Sequence, residues 1–298
     1  MLTPVLARVL RGETLTDGEI GAAMAEILEG RVTDIQAAGF IVALRTKGET
    51  VDELAALVRA IRAYDVLVDV APGAIDTCGT GGDGACTVNV STMAALVAAG
   101  AGARVVKHGN RAASSQCGSA DVLEALGVTI ELEPEDVARC VEAAGVGFCF
   151  APKYHPAYRF LGPARRELGV PTTFNFLGPL LNPGQVTRQS IGVSDEAMAA
   201  RMLATLRALG AEHALVFHGD DGLDELTTTT TNTVHELVRG EVKTYRVDPV
   251  DLGLERVDAE ALRGGSADEN ANALRAVLAG EKGAHRDITL LNAAAALI

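Results

Sequence analysis

The spacing of apolar residues changes once along the chain, and this change constrains the fold more than any other feature. Up to about residue 70, apolar residues recur at helical spacing, as in Leu54, Leu57 and Ile61, which predicts an all-helical segment. From residue 75 onward, short apolar runs alternate with longer amphipathic stretches, which is typical of strands that alternate with helices. Pro72 and Gly73 lie at the change. The sequence therefore predicts a helical unit followed by an α/β unit.

Four short apolar runs in the second segment predict buried strands, and helical patterns connect them. Strands that alternate with helices favour a mostly parallel central sheet flanked by helices. Arg239 and Gly240 separate two runs of alternating apolar residues, which predicts a β-hairpin over residues 234–247. The predicted strands are 103–107, 146–150, 190–193 and 214–217, and the predicted helices are 119–126, 134–144 and 195–209.

The same patterns define two domains. Residues 156–183 are rich in proline and return to helix and loop, so we expect them to pack against the N-terminal helices. The small helical domain would comprise residues 1–72, with about 156–185 packing back onto it. The larger α/β domain would comprise residues 73–155 and 186–298.

The overall charge limits the kinds of ligand that the chain can bind. It has 298 residues, of which 26 are basic and 39 acidic, and a net charge of −13. A chain this acidic is a poor general binder of nucleic acids or anionic membranes. No apolar run approaches the ~20 residues of a membrane span, and five cysteines without a C-x-x-C pair favour a reducing cytoplasm. A phosphorylated ligand would therefore need a local site.

A glycine-rich loop has the composition of a phosphate cradle. Residues 76–84 read DTCGTGGDG, and residues 89–92, NVST, open the next predicted helix. Glycines allow sharp turns that aim N–H groups inward, and the first turn of a helix attracts anions. The spacing matches neither the P-loop nor the dinucleotide-binding fingerprint. A tight turn with an ordinary helix cap explains this loop, taken alone, equally well.

A basic loop follows the next predicted strand. Residues 107–115 read KHGNRAASS and offer three anion-binding side chains within five positions, then two serines. Ligands of open α/β sheets bind at the carboxyl ends of the strands. The two loops follow successive strands, so we expect them to face one crevice and to share an anionic ligand.

Five motifs together resemble the anthranilate phosphoribosyltransferases. They are the two loops, residues 155–183, the acidic segment 218–226 (HGDDGLDEL) and residues 291–295 (LNAAA), in the order of that family. The resemblance implies transfer of the phosphoribosyl group of phosphoribosyl pyrophosphate (PRPP) to the amine of anthranilate, with release of pyrophosphate, in tryptophan biosynthesis. It also implies a cleft between a helical and an α/β domain, a homodimer formed through the helical domain, and Mg²⁺.

The resemblance also assigns the residues of the PRPP and metal sites. Lys107 would neutralise the diphosphate, and Ser91, Asp224 and Glu225 would hold Mg²⁺. Asp224 and Glu225 taken alone are equally well explained as a solvated acidic turn. The PRPP site would comprise Gly79, Gly82, Asp83, Thr87, Asn89, Val90, Ser91, Thr92, Lys107, His108, Gly109, Asn110, Arg111, Ala112, Ala113, Ser114, Ser115 and Ser119.

The anthranilate site follows from the same resemblance. Arg165 would bind the carboxylate, although a surface charge on a helix is the alternative and Arg166 lies beside it. No general base is assigned, because an aromatic amine is already largely unprotonated at neutral pH. Without further evidence His155 is interpreted as structural or exposed. The site would comprise Gly79, Asn110 and Arg165, with His108, Tyr158 and Pro152 as walls.

Three alternatives remain open at this point. A pyrimidine nucleoside phosphorylase shares the architecture and a lysine-centred loop, and a nucleic-acid-binding relative shares the fold without the activity. Residues 215–221 also resemble the start of the PRPP signature of purine-salvage enzymes, but no short glycine-containing loop follows. Chains of the family normally continue beyond the LNAAA segment, whereas this sequence ends at Ile298. We expect such a continuation to be helical cover for the α/β domain.

Overall fold

The computed structural model describes residues 2–112 and 116–298. Within these residues a bundle of short helices packs beside an α/β unit built on one sheet. The helices are α1 (Leu2–Leu10), α2 (Asp17–Leu28), α3 (Asp34–Lys47), α4 (Val51–Arg62), α5 (Val90–Gly100), α6 (Ser119–Ala125), α7 (Pro134–Ala144), α8 (Ala151–Tyr154), α9 (Gly162–Leu168), α10 (Thr173–Leu177), α11 (Glu196–Ala208), α12 (Ala267–Leu278) and α13 (Ala284–Leu297). The strands are β1 (Ile75–Gly79), β2 (Val105–Gly109), β3 (Val146–Phe150), β4 (Arg188–Gly192), β5 (His213–Gly219), β6 (Asn232–Val238) and β7 (Glu241–Val247). Short 3₁₀ helices cover Pro156–Phe160, Gly178–Leu181, Pro249–Leu252 and Ala259–Leu262.

Capping boxes begin three helices of the bundle. The hydroxyls of Thr16, Thr33 and Thr50 each accept the N–H of the residue three positions later, whose side chain accepts the threonine N–H in return. Such reciprocal bonds satisfy donors that the first helical turn leaves unpaired. The buried Glu53 carboxylate of the third box also accepts a hydrogen bond from Lys47 Nζ at 2.7 Å. The side chains at the helix starts therefore also hold the bundle together.

The sheet has the order β3-β2-β1-β4-β5-β6-β7. The first five strands in this order are parallel, and β6 and β7 form an antiparallel hairpin that turns at Arg239 and Gly240. The predicted fold class, a helical domain with a mostly parallel α/β domain, is confirmed. Strand β2 continues to Gly109, beyond the predicted end at residue 107, because Lys107 and His108 are buried despite their polarity.

Alternate residues of β5 show that both faces of the sheet are covered. Ala214 and Val216 lie in a core with Met198 of α11, and this core also contains the apolar residues of the helical bundle. Leu215 and Phe217 point the other way and pack with Leu291 of α13. The sheet therefore lies between α11 and the bundle on one side and α13 on the other.

The proline-rich segment after α8 lies in the same core as the bundle. Leu161, Phe174 and Leu177 are buried together with Phe40 and Leu57 of helices α3 and α4. Helices α9 and α10 both contact α3.

Among the described residues no helix is both long and apolar enough to cross a membrane.

Candidate functional site

The order of the strands predicts a ligand site between β1 and β4. Chain order runs outward from β1 to β2 and β3 on one side and from β4 to β5 on the other, so the direction of winding reverses between them. Open α/β sheets bind ligands outside the carboxyl ends of the strands at such a reversal. At those ends Gly79 lies opposite Gly192 in the register.

These two glycines make room for an acidic segment between β5 and β6. A Cβ atom on Gly79 would overlap the carboxylate of Asp224, and one on Gly192 would overlap the main-chain oxygen of Asp224. Asn292 of α13 holds the same segment, since its Nδ2 donates to Leu226 O at 2.9 Å. The acidic segment is thus packed directly onto the strand ends, where a ligand would bind.

The buried ammonium of Lys107 lies where this segment meets β1 and α5. Its side chain donates to Thr77 O at 2.7 Å and to Ser91 Oγ at 3.3 Å, and the residue is only 3% exposed. Ser91 N–H, in the first turn of α5, donates to Glu225 Oε1 at 3.1 Å. Burial raises the pKa of the neighbouring Asp76, and the charge of Lys107 opposes this shift. The Lys107 ammonium therefore lies close to the buried carboxyl groups of Asp76 and Glu225.

The acidic pair is buried and carries perturbed carboxyl groups. The pKa of Asp224 is raised to about 8, with burial as the largest cause and the nearby charge of Asp83 as the next. Burial also raises the pKa of Glu225 well above its ordinary value, with the charge of Asp224 as the next cause. Gly81 N–H donates to Asp224 Oδ2 at 2.6 Å. Buried carboxyl groups with strongly raised pKa values are a recurrent feature of functional sites.

The donor atoms at this place fit a magnesium ion. Asp224, Glu225 and the hydroxyl of Ser91 offer only hard oxygen ligands, and a divalent cation would balance the two buried carboxylates. In the part of the chain that the structure describes, no group of three or more His, Cys, Asp and Glu side chains is placed to hold a metal ion. Mg²⁺ commonly uses one or two protein carboxylates and completes its shell with water and phosphate oxygens. An open, phosphate-dependent site is therefore the kind that these residues suit.

The glycine-rich loop lies open beside the start of α5. Gly81, Gly82 and Gly84 are exposed and have positive φ angles of 71°, 83° and 71°, which only glycine adopts at little cost. The hydroxyl of Thr92 is buried without a hydrogen-bond partner among the described residues. Thr87 forms an isolated antiparallel bridge to Arg263. The loop therefore places exposed backbone next to a helix start, an arrangement that suits an anion.

Two of the expected PRPP residues use their side chains elsewhere. Asn89 Nδ2 donates to Cys117 O at 3.1 Å, and its Oδ1 accepts from Asn270 Nδ2 at 2.9 Å. The guanidinium of Arg111 pairs with Asp121 and Glu124 of α6. Asn89 thus connects the start of α5 to Cys117 and Asn270, and Arg111 points towards α6.

The remaining expected residues of the basic loop lie around the start of α6. Asn110 N–H donates to Ser119 Oγ at 3.2 Å, and Ala112 N–H donates to Asp121 Oδ2 at 2.9 Å. A Cβ on Gly109 would overlap Ser119 Oγ, so the loop passes close to this helix. Ala113, Ser114 and Ser115 lie outside the described residues.

A row of aromatic rings leads from the end of β2 to Arg165 of α9. The ring centroids of His108 and His155 are 4.8 Å apart, and those of His155 and Tyr158 are 5.9 Å apart. Arg165 Cζ lies 6.0 Å from the Tyr158 ring centroid. The Tyr158 hydroxyl is buried and has no partner among the described residues. Pro152 is exposed in the first turn of α8. The structure therefore connects His108 to Tyr158 and Arg165 through His155, and no contact of Pro152 with this row is seen among the described residues.

Similarity to known proteins agrees with this arrangement. Residues 71–298 match the α/β domain of a glycosyl transferase family, and residues 3–64 match the helical bundle domain of that family. The chain is 53% identical over 295 residues to the anthranilate phosphoribosyltransferase of Roseiflexus castenholzii, an alignment that covers 98% of this chain and 87% of that protein. The chain belongs to the anthranilate phosphoribosyltransferase family.

Solved structures of the family superpose on nearly the whole chain. The anthranilate phosphoribosyltransferase of Thermus thermophilus has a TM-score of 0.92 at 45% identity and covers 98% of this chain and 87% of its own. The enzyme of Saccharomyces cerevisiae in complex with PRPP and Mg has a TM-score of 0.89 at 28% identity, covering 98% and 86%. A further structure of the yeast enzyme, in complex with 4-fluoroanthranilate, has a TM-score of 0.87 at 27% identity with the same coverage.

Several residues that shape the family site carry no obvious signal in the sequence. Asn182 Nδ2 donates to Asp76 Oδ2 and to Val106 O, both at 2.7 Å, and so ties the proline-rich segment to β1 and β2. His155 is not exposed but buried against His108. Gly192 looks like the ordinary end of an apolar run. Only the position of Asn182 in the LGPLLNP motif could have singled it out beforehand.

Proposed function

We propose that this chain transfers the 5-phosphoribosyl group from PRPP to the amine of anthranilate, releasing pyrophosphate and forming N-(5-phosphoribosyl)anthranilate for tryptophan biosynthesis. The observation that carries the proposal is the buried junction of Lys107, Ser91 and the Asp224–Glu225 pair at the reversal between β1 and β4. Similarity to anthranilate phosphoribosyltransferases over 98% of this chain supports the transferase over the nucleoside phosphorylase and over a nucleic-acid-binding relative.

The donor side of the site would stabilise the leaving diphosphate. The bond from ribose C1 to the diphosphate oxygen breaks as the bond from C1 to the amine nitrogen forms, and negative charge accumulates on the leaving group. Lys107, the N–H groups of the glycine-rich loop and the first turn of α5 would stabilise that charge as it develops. Mg²⁺ held by Ser91, Asp224 and Glu225 would supply further positive charge at the diphosphate.

The acceptor side would position the amine. An aromatic amine carries its lone pair at neutral pH, so the chain need only hold it against C1 and let the released proton pass to solvent. Arg165 would bind the carboxylate of anthranilate, and His108 and Tyr158 would pack on its ring. The unpartnered hydroxyl of Tyr158 and its ring's distance of 6.0 Å from Arg165 support this placement.

Changing Arg165 to alanine is expected to raise the KM for anthranilate about 10- to 100-fold, since a hydrogen bond to a charged group contributes roughly 1.5–3 kcal/mol. The KM for PRPP should change little, because Arg165 lies on the acceptor side. Arg166→Ala is the matched control, as Arg166 is the exposed neighbour on the same helix. Initial rates at varied anthranilate test both variants, and equal effects of the two would contradict the assignment.

The reaction itself is tested by the loss of anthranilate fluorescence on addition of PRPP. We expect a loss that is coupled to pyrophosphate release, that stops when a chelator removes divalent metal, and that returns with added Mg²⁺. Thymidine or uridine with phosphate serves as the control reaction. Turnover of a nucleoside without turnover of anthranilate would establish the phosphorylase alternative instead.

We infer that two copies associate through the helical bundle. Ile35 and Val42 lie seven residues apart on α3, so they share one face of that helix, and both are exposed, Ile35 to 84%. Leu10 at the end of α1 is 71% exposed. Exposed apolar residues that share one helix face, as Ile35 and Val42 do, are typical of protein interfaces. Light scattering should give twice the 30.9 kDa mass of one chain, and the mass of a single chain would contradict this inference.

The cytoplasm is the compartment that we propose for the reaction. Three of the five cysteines, Cys78, Cys117 and Cys149, are buried, and thiols of this kind persist in reducing compartments. Fractionation of the source cells should recover the activity with the cytoplasmic fraction, and recovery with the membranes would contradict this proposal.

A further inference from the structure

A buried chain of hydrogen bonds connects the end of β2 to the segment that follows α4. His108 Nδ1 lies 3.1 Å from Gly178 O, and His108 Nε2 lies 3.0 Å from His155 Nε2. His155 Nδ1 lies 2.7 Å from Asp65 Oδ1. The side chains of His155 and Asp65 are 5% and 3% exposed. Water therefore has little access to the chain, and its protons must be arranged among these groups.

The partners at the two ends determine how many protons the rings hold. A main-chain carbonyl only accepts, so His108 Nδ1 must carry hydrogen. An ionised carboxylate also only accepts, so His155 Nδ1 must carry hydrogen. The two Nε2 atoms, 3.0 Å apart, need one hydrogen between them. The two rings therefore share three N–H hydrogens and one positive charge, which the carboxylate of Asp65 balances.

Two observations place this charge on His155. His155 contacts the Asp65 carboxylate directly, whereas His108 contacts a neutral carbonyl. The pKa of His108 is lowered to about 3, with burial as the largest cause and the charge of His155 as the next. His108 is then the neutral ring with hydrogen on Nδ1, and its Nε2 lone pair accepts from His155.

We propose that Asp65 and His155 are positioning residues that hold His108 as the neutral Nδ1–H tautomer in one orientation at the wall of the acceptor pocket. Both ring nitrogens of His108 are then occupied, so the ring can meet a substrate only through its carbon atoms and its face. This inference rests on the proposed function, because His108 forms the wall of an anthranilate pocket only if the chain binds anthranilate.

The proton arrangement is tested directly by NMR of protein labelled with ¹⁵N in histidine. At neutral pH we expect His108 to show one protonated and one unprotonated ring nitrogen, and His155 to show two protonated nitrogens. In Asp65→Asn the second proton of His155 should be lost, because the amide can donate to Nδ1 in place of the carboxylate. A neutral His155 ring in the unaltered protein would overturn the proposal.

Kinetics of variants at the same position test the positioning role. Asp65→Ala should raise the KM for anthranilate about tenfold, with a smaller change in the KM for PRPP, because it leaves His155 Nδ1 without the partner that orients its ring. Asp65→Asn should restore part of the loss, since its amide still binds His155 Nδ1. Asp69→Ala is the matched control, since Asp69 is exposed in the same segment. Equal effects of Asp65→Ala on both substrates would overturn the role. Absence of any turnover in the unaltered protein would instead contradict the proposed function, while the NMR result still decides the proton arrangement.

Discussion

Replacing Lys107 with alanine is expected to lower kcat/KM for PRPP by about 100- to 1000-fold, the range seen when one preorganised charge-stabilising donor is removed. The ammonium is buried between Thr77 O and Ser91 Oγ, so no neighbouring surface lysine can take its place. The KM for anthranilate should change far less, because the lysine is on the donor side of the site.

The control for this variant is Lys282→Ala, which removes an exposed lysine and should leave both kinetic constants unchanged. Thermal unfolding is measured in parallel, because Asp76 and Glu225 would lose the nearby positive charge that stabilises their ionised forms. A folded Lys107→Ala protein with unchanged PRPP affinity and turnover would contradict the role of Lys107.

Replacing Gly192 with alanine is expected to lower the free energy of unfolding by about 3 kcal/mol, the upper part of the range for overpacked sites. The added methyl would overlap the main-chain oxygen of Asp224, which is rigid backbone rather than the end of a flexible side chain. Any protein that does fold must move the acidic segment away from β4, so Mg²⁺-dependent turnover should be lost as well.

Gly100→Ala is the matched control for this glycine. Gly100 lies in the last turn of α5, and a Cβ there would meet no heavy atom within 4 Å. Alanine in a helix is favoured over glycine, so stability should stay the same or rise by up to about 1 kcal/mol. Denaturant unfolding measures both variants. Equal stabilities of Gly192→Ala and Gly100→Ala would show that the acidic segment does not rest on Gly192.

The elements of the fold are largely predictable from local sequence. The capping boxes at Thr16 and Thr50, helix α7, and the hairpin at Arg239 and Gly240 all follow from residues within a few positions of one another. The predicted end of β2 is wrong because a charged residue normally ends a buried strand, whereas Lys107 is buried and paired there.

The family motifs indicate most of the candidate site, yet they cannot say what each side chain contacts. Asn89 and Arg111 both belong to the PRPP motifs, but in the structure Asn89 braces a loop and Arg111 pairs with α6. A motif records which residue occupies a position. It does not record whether the side chain faces the ligand or supports the residues that do.

The helical bundle, the alternating strands and helices, and the two loops with phosphate-binding composition all follow from local sequence, because they depend on interactions between near neighbours. Which distant residues meet depends on the packing of the whole fold. Asp65 and His155 are separated by 90 positions, and Gly81 and Asp224 by 143. Contacts over such separations form only when whole elements pack, so the periodicity of neither segment predicts them.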